Sequence, residues 1–216
     1  MDPLHFCIAV APLAVYFSLL GIINMSGRPF ITTGSRDAAA LGIGLSGLMV
    51  AGPMELFFPS NAAQWAGALV WPLMLAFYGL CVSLIVLMMR PRLVIYNVNY
   101  EKLRPILGDL ANSIDPKSRW SGDSLFIPSI NVHLHMESVP LLMNVQLVSS
   151  GPNQSYEGWR KLEKELKKAA GEIRSRPNAL GLGLLILSGV IAVGTAFWMV
   201  SQQQEVAEAI REMLRM

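Results

Sequence analysis

Two histidines and a carboxylate at alternate positions, His133, His135 and Glu137 in the run Asn-Val-His-Leu-His-Met-Glu, come nearest to a reactive constellation in this sequence. In an extended segment side chains alternate, so these three project from one face while Val132, Leu134 and Met136 take the other. Two imidazoles and a carboxylate in line can bind Zn²⁺ or another divalent ion, and a membrane-tethered metalloenzyme built on His133 and His135 is one reading. The same alternation is what a half-buried strand needs without any metal. Asp123 and Glu101, the other candidate ligands, are not tied to the site by spacing.

A second ionisable group stands out by its surroundings. Glu55 lies two residues after Pro53, near the end of a long apolar run, and Pro12, Pro53 and Pro72 recur in the first three such runs. Each proline removes a helix hydrogen bond and bends the turn before it. A carboxylate among kinked helices is the expected form of a small binding pocket, open to the outside, for a binding or transport accessory. Its place close to the end of its run equally lets Glu55 reach interfacial water.

Stronger chemistry is missing. The chain has no phosphate-binding Gly-x-x-x-x-Gly-Lys loop, no dinucleotide fingerprint and no Gly-x-Ser-x-Gly elbow. No nucleophile can be matched with a base, and no cofactor is implied. Buried carboxylates or basic groups along a transport path are absent too, the internal polar groups being hydroxyls such as Ser18, Ser46, Ser83, Ser188 and Thr195. These observations point away from an enzyme or pump and toward a noncatalytic membrane interaction or accessory subunit in a larger assembly.

The elements that must position these residues follow from composition. Hydrophobic residues make up 53% of the chain and charged residues 15%, against about 25% charged in a typical globular domain. Four runs, residues 4–23, 38–58, 65–89 and 179–200, are long enough for a hydrocarbon core about 30 Å thick. Of the 17 Lys and Arg, 13 fall between Arg90 and Arg176, and that segment holds 9 of the 15 Asp and Glu. The fold expected is a four-transmembrane-helix bundle, with a cytoplasmic α+β domain over 90–177 inserted between helices 3 and 4. An amphipathic tail over 201–216 carries Val206, Ile210, Met213 and Leu214 on one stripe and suits a membrane surface or a partner.

Basic residues near helix ends set the orientation. Arg28 and Arg36 lie in the first connection, Arg90 and Arg92 follow the third run, and Arg174 and Arg176 precede the fourth; the second connection has none. Both termini are therefore expected outside and the middle domain in the cytoplasm, with a bacterial inner membrane as the expected setting. Arg211 and Arg215 in the tail are a small counterweight. Arg90 and Arg92, with Lys164 and Lys168, are the candidates for lipid-headgroup contact. Small residues four apart, Ala38-Gly42-Ser46 and Ser188-Ala192-Ala196, form faces on which helices can approach closely, within the chain, in a homo-oligomer or against a partner. Cys7 and Cys81 sit at different depths of their runs, which argues against a disulfide.

Within the middle segment the order reads βαβββα. Leu93–Tyr96, Ser124–Ile127, Asn131–Glu137 and Asn144–Val148 have strand character. Asn99 and Ser155 stand where helix caps belong, ahead of stripes at Leu103, Ile106, Leu107, Leu110 and Ile114 and at Trp159, Leu162, Leu166, Ala169 and Ile173. Two such helices on one face of a mainly antiparallel sheet bury both stripes. The outer face of the second helix, with Arg160, Lys161, Lys164, Lys167 and Lys168 among glutamates, is basic, but a net +4 without aromatic-studded strands gives no ground for nucleic acid.

Overall fold

The computed structural model describes residues 3–54, 69–139, 144–152, 154–171 and 178–215. Among them are seven α-helices and one antiparallel sheet. In chain order these are α1 (Pro3–Met25), β1 (Phe30–Thr33), α2 (Gly34–Met49), α3 (Val70–Met88), β2 (Arg92–Tyr96), α4 (Tyr100–Ile114), β3 (Arg119–Ser121), β4 (Ser124–Ile127), β5 (Val132–Val139), β6 (Asn144–Ser149), α5 (Tyr156–Ala170), α6 (Ala179–Ser201) and α7 (Gln203–Arg215). The chain divides into two compact units, one over 1–21, 38–87 and 183–216, the other over 22–37 and 88–182.

The first unit is helical. α1 and α6, 23 residues each, are long and apolar enough to cross a membrane, and α3 is a shorter apolar helix over Pro72–Met88. α2 is 16 residues long and loosens into a π turn over Val50–Met54, where Pro53 offers no N–H to an α-helical ladder. Glycines let the helices close up. A Cβ on Gly47 would run into the backbone oxygens of Ile8 and Ala9 on α1, and one on Gly44 would lie 2.9 Å from Tyr16 Cβ. Gly42 faces the other way, where a Cβ would come 2.7 Å from Val82 on α3. α2 is thus held between two neighbours through small residues on two of its sides. Tyr78 Oη donates to the Gly42 carbonyl at 2.6 Å, and Ser18 Oγ donates to Ser188 Oγ at 2.9 Å, tying α1 to α6.

The second unit is built on a six-stranded sheet of order β1-β2-β6-β5-β4-β3. Every pairing is antiparallel. One face carries Ile31, Leu93, Ile95, Leu125, Ile127, Val132, Leu134, Met136, Val145 and Leu147, all buried against Leu103, Leu107 and Ala111 of α4 and Trp159, Leu162 and Leu166 of α5. Ser155 caps α5 by accepting from Gly158 N at 3.1 Å, whereas Asn99 precedes α4 without a side-chain cap bond. Asp115 closes the far end of α4 by accepting from Lys117 N and Ser129 N, each at 2.8 Å. Those two bonds hold its carboxyl below the ordinary range.

Two strands go beyond the expected βαβββα order. β3 joins β4 through a tight turn at Gly122, whose φ is +62°. β1 comes from the connection between α1 and α2 and completes the edge of the sheet: Ile31 pairs with Ile95 and Thr32 with Val94. The sheet is therefore not assembled from the segment between α3 and α6 alone.

Candidate interaction surface

The second face of the sheet is divided. On the β1-β2-β6 half, Thr32, Val94, Tyr96 and Asn144 are buried, Val94 with 1% of its surface exposed. The first turn of α2 lies over this half. Tyr96 Oη donates to Asp37 Oδ1 at 2.6 Å, and a Cβ on Gly34 would collide with the Arg92 side chain. Thr33 starts that turn by accepting from Arg36 N at 3.3 Å.

Beside it, buried Asn97 joins the sheet to the end of α1, and buried Asn24 and Asn178 join the end of α1 to the start of α6. Asn97 is fully buried and left-handed, with φ +59°. Its Nδ2 donates to the Ile23 carbonyl at 2.5 Å and the Arg28 carbonyl at 3.2 Å. Asn178 N donates to the Asn24 carbonyl at 3.2 Å, and Asn178 Oδ1 accepts from Leu180 N at 3.1 Å, capping α6. These asparagines satisfy carbonyls at the end of α1 and an amide at the start of α6, groups a helix leaves open at its ends.

On the β5-β4 half Ser124, Phe126, His133, His135 and Val148 of the second face are half-buried. His135 stands beside Val148 and Ser124, and His133 beside Phe126. His133 stacks on Phe126 with ring centroids 3.8 Å apart, and Ser124 Oγ and His135 Nδ1 are 3.1 Å apart. Both histidines are half-buried and Glu137 is exposed, as the alternation on β5 requires. Gln154 fixes this edge by bonding both backbone groups of His133, accepting from its N–H at 3.2 Å and donating to its carbonyl at 3.0 Å. Among the described residues no three His, Cys, Asp or Glu side chains gather to hold a metal. The side chains at this surface are one aromatic ring stacked on an imidazole, and a second imidazole beside a hydroxyl.

The other sequence candidates are dispersed. Glu55 lies outside the described residues, as does the rest of the connection that follows it. Gly42 and Ser188 are buried at helix contacts, and Ala38 and Ser46 are half-buried, but Ala192 and Ala196 face outward, α6 packing instead through Ser188 and Thr195. The close approaches at Gly44 and Gly47 were not anticipated, although both glycines are visible in the α2 run. Cys7 and Cys81 are free. Arg90, Lys164 and Lys168 are exposed, whereas Arg92 is half-buried with its Nε shielded from solvent.

At the far end of the sheet Arg104 lies 5.7 Å from the Tyr100 ring and 5.4 Å from the Trp120 ring, and donates to the Gly122 carbonyl at 3.0 Å. Tyr100 Oη donates to Asp123, which raises the Tyr100 pKa. This cluster pins the β3–β4 turn to α4. Comparison with protein-family models, with curated proteins and with solved structures gives no match.

Proposed function

We propose that this chain is a noncatalytic, multi-pass membrane subunit whose sheet domain docks another membrane protein through the β5-β4 half of its second face, around Phe126, His133 and His135. What carries the reading is the recruitment of β1. A sheet whose edge strand comes from the α1–α2 connection, and which Asn97 bonds to the Ile23 carbonyl near the end of α1, is fixed to that helix end. A domain joined at both chain ends to apolar helices stays close to the bilayer, which favours a partner that is itself in the membrane.

The four-span topology with both termini outside and the sheet in the cytoplasm belongs to the same proposal. Strands β1 and β2 are neighbours, so the chain between them leaves and returns on one side. From Ala38 onward α2 with its π turn extends about 26 Å, and α3 about 28 Å, at 1.5 Å per residue, close to a hydrocarbon core about 30 Å thick. The cluster of basic residues at these helix ends agrees with a cytoplasmic face.

The test is purification of the chain from its native membrane in mild detergent, beside Phe126→Glu. A stoichiometric membrane protein with the wild type, and its loss with Phe126→Glu while the domain stays folded by circular dichroism, supports the proposal. A monodisperse lone chain, or a homo-oligomer indifferent to Phe126→Glu, sinks it.

A further inference from the structure

We propose that the exposed cations of α5, with Arg28 of the α1–α2 connection and Arg36 of the first turn of α2, form a surface that binds the anionic lipid headgroups of the leaflet on the sheet side. α5 buries Trp159, Leu162 and Leu166 and turns Arg160, Lys161, Lys164, Lys167 and Lys168 outward. Glutamates occupy only part of this charge. Lys167 bonds Glu163 at 2.6 Å and Lys168 bonds Glu165 at 2.9 Å. Arg160, Lys161 and Lys164 have no ion-pair partner among the described residues, and their field is felt locally: Lys168 first, then Lys164 and Lys161, lower the Glu165 pKa.

The position of this surface selects the lipid. Glu163, only 13% exposed, also accepts from Arg36 Nη1 at 3.3 Å. Arg36 belongs to the first turn of α2, immediately ahead of the apolar stretch that the proposed topology puts in the bilayer. α5 is thereby held within one ion pair of the level where α2 would enter the headgroups, and Arg28 is exposed on the α1–α2 connection. A solvated helix face needs no such anchor. Each Lys or Arg near an anionic surface contributes about fivefold to binding at modest ionic strength, and the contribution fades with salt.

This inference rests on the membrane reading but not on the protein partner. The full chain is placed in nanodiscs of phosphatidylcholine alone or with part of it replaced by phosphatidylglycerol, and lysine acetylation is followed by mass spectrometry. Labelling of Lys161 and Lys164 is expected to slow about fivefold or more in the anionic discs, with Lys102 and Lys117 unchanged and the difference erased by high salt. Arg160→Glu, an exposed change, should shrink the difference. Equal labelling in both discs overturns the inference and leaves the membrane reading standing, as does equal protection in both. Failure to insert into either disc overturns the two together.

Discussion

Replacing Ile31 by alanine tests the assembly at its least expected point. Ile31 is 6% exposed, pairs with Ile95 on β2 and belongs to the same buried cluster as Leu93 and Trp159. Truncation to alanine removes three carbons at about 0.8 kcal/mol each, plus a cavity term, and buried isoleucines so truncated cost about 2–5 kcal/mol. An edge strand can partly collapse onto the gap, so a value near 3 kcal/mol is appropriate. The readout is native-state amide exchange of β2 and β6 in detergent, where openings of the sheet appear directly. At about 1.4 kcal/mol per decade, exchange should accelerate about a hundredfold. Ile43 on α2, 70% exposed, serves as control; its truncation should leave those amides within about twofold. If Ile31→Ala behaves like Ile43→Ala, β1 is not part of the folded sheet, and the argument for a fixed domain falls with it.

Asn97→Gly keeps the left-handed backbone but strips donors from two carbonyls, so it should cost about 1–3 kcal/mol. Asn97→Ala adds the strain of a left-handed residue, about 1 kcal/mol more, and the order of the two variants in a denaturant melt separates hydrogen bonding from conformation. Gly47→Ala should destabilise the helical unit by about 1–3 kcal/mol through forced separation of α1 and α2; Gly189→Ala, where a Cβ meets nothing within 4 Å, should be near neutral in the same thermal melt. Asp115 has a lowered pKa, so its stabilisation is complete above its ordinary value near 3.8 and is lost as pH falls through the depressed one. Acid melts should therefore show wild type losing its advantage over Asp115→Asn below about pH 4, and an advantage unchanged down to pH 2 would refute that role.

Much of the domain was legible because its signals are local. The stripes of α4 and α5 name Leu103, Leu107, Trp159, Leu162 and Leu166, which are buried, and Leu110 and Ile114, which pack against them half-buried, while Ala111 and Ala170 were missed and Ile173 lies outside the described residues. The alternation in β5 places His133 and His135 opposite Val132 and Leu134 as observed. What escaped depends on distance along the chain. Phe30–Thr33 is four residues between a Gly-Arg-Pro turn and a helix, too short to show a period; only pairing with Leu93–Tyr96 makes it a strand. Arg119–Ser121 has no apolar alternation, and its strand exists because Gly122 turns it back on β4. Ala38, Gly42 and Ser46 of α2 were read as one face at spacing four, but packing uses Gly42 on one side and Gly44 with Gly47 on another. Spacing alone does not say how many neighbours a helix has.

The recruitment of β1 also bears on orientation, where charge counting is least secure. Arg211 and Arg215 in the tail oppose the assignment drawn from Arg28, Arg36, Arg90 and Arg92. Sheet hydrogen bonds cannot form across a bilayer, because paired strands lie about 4.8 Å apart and the hydrocarbon core is about 30 Å thick. On the proposed reading, β1 beside β2 therefore places the α1–α2 connection on the side of the sheet whatever its charge, and the bond from Asn178 N to the Asn24 carbonyl places the start of α6 there as well. A single crossing by α1 and by α6 then puts both termini on the opposite side. On that reading Arg211 and Arg215 lie across the bilayer from the sheet, and the larger number of basic residues with the sheet, Arg28, Arg36, Arg90 and Arg92 among them, sets its side as cytoplasmic. A membrane-impermeant thiol reagent acting on cysteines placed at Gln204 and at Lys117 decides the matter: both reacting from one side would break the pairing argument itself.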